Sequence, residues 1–328
     1  MVQTTTPTSP VTDCYFIIKT AAKKVSAKGD SYLDMIFMNA EGEIPAKLWD
    51  YKPEAHDWIA GGMIVKVRGN EELWNDKKQF RIQRIRRLAP GDDVDMRALV
   101  PCAPFDGAEM LAQLERIVAS FTDDALKKLV THILEPNRVR LLICPAAVKL
   151  HHAVCGGLLY HTLSIARVAE GVCTVYPFLN RDLLLAGVIL HDIAKLDELQ
   201  VEETGIAGGY TMQGELIGHL VMGAMLVRDT AKELGLPEET AVLVEHMLLS
   251  HHGIPEYGCA VRPMVLEAEV LSMLDNLDAT VNQITASLGT VEPGGFGQKL
   301  WSLDQRKFYR PVGFAPSDMN ADVLRKEN

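Results

Sequence analysis

The sequence predicts a multidomain protein of mixed α and β class: a small N-terminal β-barrel followed by an all-α domain. Three observations predict it. Short apolar runs broken by turn residues fill the first quarter of the chain. Apolar residues at three-and-four spacing dominate from about residue 106 onward. Eight of the ten histidines fall between positions 151 and 252. At 328 residues the chain is long enough for two domains, and 48% hydrophobic with 23% charged residues is ordinary for a globular protein.

Taken in order, the opening MVQTTTPTSPVTD has neither a basic n-region nor an apolar h-region, so it is no secretory signal; residues 1–12 are expected as a disordered lead. YFIIK at 15–19, YLDMIFM at 32–38, AKLWD at 46–50, MIVKVRG at 63–69 and FRIQRI at 80–85 then read as five strands separated by turns, the size of an OB-type barrel over residues 13–90. The aromatics Tyr32, Phe37, Trp49, Tyr51 and Trp58 are expected mostly in its core. LAPGDDVD opens a linker drawn at 91–105.

The all-α domain is drawn at 106–315. RDLLLAGVILHDIAKL at 181–196 is apolar nearly all round and is expected as its central buried helix, with others near 158–173, 213–234, 239–251 and 266–285; residues 316–328 form a tail. No run of about 18 apolar residues occurs, so no membrane helix is expected. Six scattered cysteines without a CxxC pair fit reduced thiols in the cytoplasm. The net charge of −10 disfavours bulk coating of nucleic acid but leaves room for a local basic groove.

The chemistry lies in an ordered set: His161, His191-Asp192, His219, His251-His252 and Asp275. Histidine and aspartate together are transition-metal ligands, and there are enough for two ions. Any one of these residues alone would be an ordinary core or surface group; the ordered set is not. Burying Asp192 in an apolar helix would cost several kcal/mol unpaired, a penalty that a dication removes. His56 and His132 read as structural, and His246 stays open between a structural and a supporting role.

HDIAK at 191–195, with GGLLYHT at 156–162 and DNLDA at 275–279, resembles the HD superfamily of metal-dependent phosphohydrolases. GHL at 218–220 and HHG at 251–253 resemble its two-metal members. The resemblance implies a first metal on His161, His191, Asp192 and Asp275, and a second on Asp192, His219, His251 and His252. It puts Lys195 near a substrate phosphate and makes Asp192 and Lys195 the catalytic pair. KLHHAVCGGLLYHT, GELIGHLVMG and LLSHHGIPEYGCAVRPMVLEAEVL extend the similarity to the YhaM family of 3′-to-5′ exoribonucleases, an OB-fold followed by an HD domain, over most of residues 13–315.

That resemblance implies a metal-dependent phosphodiesterase acting on single-stranded RNA, with single-stranded DNA left open. Two divalent ions are implied, manganese first among Mn²⁺, Fe²⁺ and Co²⁺, because histidine-rich ligation disfavours Mg²⁺. Candidate RNA contacts are Lys195, Arg262, His151 and His152 in the helical part, and Trp74, Lys78 and Arg81 around the basic run KKQFRIQRIRR of the barrel. Gly156-Gly157 is expected to allow a tight approach before the His161 helix. The helical domain could also supply a homo-oligomer interface. Two other readings remain: an HD hydrolase of mononucleotides or cyclic dinucleotides, disfavoured by the barrel, and a nucleic-acid-binding module with an inactive HD domain, disfavoured by the complete ligand set.

Overall fold

The computed structural model describes residues 6–313 apart from positions 8, 27–28, 41, 75–76, 149–151, 203 and 290. The chain divides into two compact units, Met1–Pro101 and Cys102–Asn328.

In the first unit, β1 (Thr6–Pro7), β2 (Thr12–Val25), β3 (Ser31–Asn39), β4 (Gly42–Leu48), β5 (Ile64–Trp74) and β6 (Lys77–Arg87) share one sheet, with the short helix α1 (Pro53–His56) between β4 and β5. The sheet closes in the order β5-β2-β3-β4-β6, with β6 pairing back onto β5. Every barrel pairing is antiparallel except β4–β6, which is parallel through Ala46↔Phe80 and Lys47↔Arg81. The result is a closed, OB-like five-stranded barrel.

Alternate residues fill it: Phe16 and Ile18, Leu33, Met35 and Phe37, Ala46 and Leu48, Val65 and Val67, Phe80 and Ile82 are all buried. Phe16 stacks on Phe37 at 5.0 Å, and Phe80 meets Phe16 edge-on at 5.2 Å. Gly69 sits at a bulge in β5 where a Cβ would lie 2.3 Å from the Arg81 carbonyl oxygen, so the close β5–β6 approach requires glycine. The aromatics expected in the core divide. Phe37 is fully buried and Tyr51 and Trp58 pack against the core, but Trp49 is 46% exposed on the outer side.

Two expected loose segments are tied down. In the lead, Thr6–Pro7 pair with β5 and Thr12 already belongs to β2, because β5 offers an open edge; residues 1–5 and 8 lie outside the described residues, as does the tail 316–328. Of the expected linker, the Asp92 carboxylate accepts from Arg86 at 2.6 and 2.7 Å and from the Ala89 amide at 2.7 Å, while α2 (Met96–Leu99) packs on β2 and β3. Past the unit boundary, the Ala103 amide donates to the Cys155 carbonyl in the second unit.

The second unit contains α3 (Gly107–Ala119), α4 (Asp124–Leu134), α5 (Arg138–Leu141), α6 (Gly157–Val175), α7 (Arg181–Leu190), α8 (Lys195–Glu198), a hairpin of β7 (Leu199–Val201) and β8 (Ala207–Tyr210), then α9 (Met212–Leu216), α10 (His219–Glu233), α11 (Glu238–Ser250) and α12 (Leu266–Gly289). Asp106, Asp123 and Asn180 cap α3, α4 and α7 through their side-chain oxygens. From Asp182 to Leu190 every residue of α7 is buried, against α4, α6, α11 and α12.

Three local expectations change here. The helix expected over 181–196 stops at Leu190. Its apolar period continues, but Ile193 and Lys195 hydrogen-bond three residues back, so 191–194 form tight turns before α8. On one continuous helix His191 and Asp192 would point about 100° apart; the turn brings them together. The helix expected over 213–234 breaks at Gly218, whose φ of 77° starts α10 afresh at His219. The domain is also not purely α, since β7 and β8 are too short and glycine-rich to leave a periodic signal.

Candidate metal centre

Five histidines project from four places in the fold, His251 and His252 together from the end of α11, and each has an oxygen acceptor at Nδ1. His191 caps the C-terminus of α7 and donates to the Val188 carbonyl at 2.7 Å; His251 caps α11 and donates to Leu248 at 2.8 Å. Both bonds satisfy carbonyls that a helix end leaves unpaired. His252 donates to the Tyr257 carbonyl at 2.8 Å. His219, at the start of α10, donates both its backbone N–H, at 3.0 Å, and its Nδ1, at 2.9 Å, to Glu198. His161 on α6 faces Asp278 at 2.7 Å through Nδ1. With Nδ1 committed in this way, Nε2 of each neutral imidazole is left as a lone pair.

Those Nε2 atoms gather on the two sides of Asp192. Its Oδ2 lies 3.3 Å from His191 and 3.7 Å from His161; its Oδ1 lies 3.3 Å from His219 and 3.8 Å from His251. Asp275 on α12 stands 3.2 Å from His161 Nε2, and the His161 and His191 Nε2 atoms are 3.3 Å apart. His219, His251 and His252 converge as a separate triple within ligating distance. Asp192 Oδ1, His219 Nε2 and His251 Nε2 are buried with no hydrogen-bond partner among the described residues. Lone pairs facing lone pairs in a buried site repel unless a cation lies between them, so this donor set fits a metal. The C-terminal ends of α7 and α11 add partial negative charge there.

The charges agree. Asp192 is buried, yet Lys195 and the surrounding imidazoles hold its carboxyl well below the usual range. Burial disfavours a charged His161, but hydrogen bonds to Asp275 and Asp278 outweigh it and raise its pKa to about 10. The pocket therefore demands positive charge at that point, from a proton or from a dication. His251 is pushed the other way by burial and by His191, towards the neutral, ligating form. Lys195, partly buried, is held in its charged form because Asp192 lies 2.7 Å from its Nζ.

Glu198 and Asp278 escaped the sequence reading, since acids on helices look like solvated ones. Asp278 follows Asp275 by three residues, one helical turn, and that spacing was the available signal. The glycines before α6 make the close approach expected of them. Gly156 adopts φ of 71°, and a Cβ on Gly157 would fall 2.0 Å from the His152 carbonyl oxygen.

The expected RNA contacts fare unevenly. Lys195 lines a cleft of about 460 Å³ together with Asp192, His219, His251, His252 and Asp275. His152 was expected beside RNA; instead it is 5% exposed, and its Nε2 meets Asp278 at 2.7 Å, so it buttresses His161 through the shared carboxylate. His151 lies outside the described residues. Arg262 is exposed but does not line the cleft, and His246 accepts the Met264 amide through Nε2 at 2.8 Å, anchoring a loop rather than facing the donor set. In the barrel unit, Lys78 is 3.8 Å from Glu71 and Arg81 is 3.8 Å from Glu72; Trp74 belongs to β5, and its side chain lies outside what is described.

Comparison with known proteins covers both units. The family described as HD domain matches residues 158–280, the stretch that carries every donor named above. The 3′-5′ exoribonuclease YhaM of Geobacillus sp. (strain WCH70) is 36% identical over 300 residues, 92% of this chain and 92% of the relative. The protein of the same name from Halalkalibacterium halodurans is 35% identical over 301 residues, 91% of this chain and 92% of the relative.

Proposed function

Because the chain belongs to the YhaM family of 3′-5′ exoribonucleases, we propose that it is a metal-dependent hydrolase that removes nucleotides from the 3′ end of single-stranded RNA in the cleft around Asp192. The observation that carries this is the two-sided Asp192, with one oxygen turned to His161 and His191 and the other to His219 and His251. In this reading His161, His191, Asp192 and Asp275 hold one ion, and Asp192, His219, His251 and His252 hold another. Two such ions would supply hydroxide near neutral pH and offset charge on the attacking and leaving oxygens. The imidazole-rich donor set supports Mn²⁺, Fe²⁺ or Co²⁺ over Mg²⁺.

The chain's own groups do the rest. Lys195, charged and at the cleft wall, pairs with a non-bridging phosphoryl oxygen. Glu198 and Asp278 fix the rings of His219 and His161, so the donors need no reorganisation when substrate enters. Ser272 and Asn276 of α12 line the same cleft and offer hydrogen bonds to a terminal ribose. Six cysteines outside disulfides fit the reduced thiols of a cytoplasmic enzyme. Among the described residues no helix is long and apolar enough to cross a membrane.

The test is a time course with Mn²⁺ on 5′-labelled single-stranded RNA, with DNA of the same sequence in parallel. A ladder shortening from the 3′ end, absent in Asp192→Asn, is expected. Intact RNA despite bound Mn²⁺ would overturn the reading, and the DNA lane decides whether the sugar matters.

A further inference from the structure

We infer that the arm formed by residues 294–310, which folds back after α12, guides the substrate strand into the cleft around Asp192. Trp301 is its base-stacking platform, and Lys299 and Lys307 are its phosphate contacts. The choice of RNA as occupant rests on the exoribonuclease reading; the arm itself is described within the second unit alone.

The arm is an antiparallel turn. Phe296 pairs with Tyr309, their rings 5.1 Å apart, and Leu300 pairs with Arg306. Backbone N–H groups donate from Gly297 to Phe308 at 2.9 Å, from Leu300 to Arg306 at 3.0 Å and from Arg310 to Gly295 at 2.9 Å. The tip passes through Asp304 and Gln305, both left-handed at φ of 55° and 60°. Leu303 is its buried anchor, and Arg310 Nη1 ties its base to the Leu288 and Val291 carbonyls. Beside Trp301, the Ser302 hydroxyl donates to Gln283 Oε1. Gln283 lines the cleft, on the face of α12 that also carries Ser272, Asp275, Asn276 and Ala279. It lies eight residues past Asp275, about 12 Å along the helix. One helix face thus leads from Asp275 to the residue that holds the arm.

The surface of the arm is unlike the chain as a whole. Between 296 and 310 stand Lys299, Arg306, Lys307 and Arg310 against Asp304 alone, in a protein of net charge −10. Among the described residues no carboxylate lies within ion-pairing distance of Lys299, Arg306 or Lys307. Trp301 is 71% exposed and Phe296 66%, so packing does not account for either ring. Exposed rings among cations match a single strand, whose unpaired bases have free π-faces and whose phosphates run alongside. A duplex, with its bases already stacked on each other, has none to offer. Attachment to a cleft-lining residue favours the substrate strand over an anionic membrane.

The experiment uses the full chain carrying Asp192→Asn, so that RNA stays intact, and reads anisotropy of a labelled 20-nucleotide oligouridylate. Trp301→Ala should weaken binding about tenfold, and Trp301→Phe should recover most of the loss. Lys299→Ala combined with Lys307→Ala should lower the salt slope by about 1.4, the value of two phosphate contacts on a single strand. A dinucleotide, too short to span cleft and arm, should bind the parent and Trp301→Ala equally; an equal loss on it would place the effect in the cleft and overturn the guiding role. Circular dichroism checks folding; should Trp301→Ala fail to fold, the lysine pair decides. Affinity and salt slope unchanged from the parent would overturn the proposal, and Trp301-dependent binding to phosphatidylserine vesicles in their place would assign the arm to a membrane. Failure of the native chain to hydrolyse RNA, with the binding contrast intact, would instead sink the exoribonuclease reading alone.

Discussion

Replacing Asp278 by asparagine should weaken metal binding while keeping the number of ions bound. Asp278 Oδ2 accepts hydrogen bonds of 2.7 Å from both His161 Nδ1 and His152 Nε2. Burial opposes its charge, but those two bonds prevail and bring its pKa down to about 2, so it is a carboxylate at any working pH. A hydrogen bond to a charged group is worth about 1.5–3 kcal/mol and a neutral one about 0.5–1.5. The amide should therefore cost His161 about 1–1.5 kcal/mol of anchoring. Losing the group behind a ligating histidine costs about ten- to hundredfold in metal affinity, roughly 1.4–2.7 kcal/mol. The two routes overlap at a Kd about tenfold higher. Calorimetric titration with Mn²⁺ reads both Kd and stoichiometry. An unchanged Kd would refute the orienting role. Loss of a whole equivalent would refute it differently: His152, His161 and Asp278 also lie within ligating distance of one another and would then form a metal group themselves.

Two further expectations concern the scaffold. Asp182 Oδ2 accepts from the Thr122 amide at 2.6 Å, the Thr122 hydroxyl at 2.9 Å and the Asp123 amide at 2.9 Å, so Asp182→Asn should cost about 2–3 kcal/mol in urea unfolding. Burial opposes its charge, but those donors hold its pKa below the usual value; the stabilisation is therefore complete above the unfolded pKa of about 3.9 and is lost as pH falls through the folded one. The gap between parent and variant should narrow below about pH 4, and a constant gap from pH 6 to pH 3 would contradict the assignment. Gly157→Ala should cost about 1–3 kcal/mol by overpacking against the His152 carbonyl and should weaken Mn²⁺ binding through His161; a thermal melt unchanged with and without Mn²⁺ would rule this out.

The donors were legible because they are residue types that a buried apolar helix does not tolerate without a purpose. His191 and Asp192 interrupt a stretch in which every neighbour is apolar. Their supports were less legible: Asp278 shows only in its one-turn spacing from Asp275, and Glu198 becomes meaningful only when the fold brings it against His219. The end of α7 was hidden for a related reason, since its apolar period runs on through Ile193 and Leu196 while the backbone turns away. In the barrel, the five strands followed from alternation and turn residues. Alternation also held a clue left unused: in AKLWD, Ala46 and Leu48 face inward, so Lys47 and Trp49 must face out. Strand pairing decides which outward residues become neighbours, and composition does not encode it.

The donors come from separate places along the chain between His161 and Asp275, and only the finished packing of α6, α7, α10, α11 and α12 assembles them. An unfolded chain offers no comparable chelate, so an ion would bind the native form almost exclusively and shift the folding balance towards it. Supply of the ion would then govern how long each molecule survives as well as how fast it works. Under metal scarcity, proteolysis of the transiently unfolded chain would reduce the amount of protein alongside its activity.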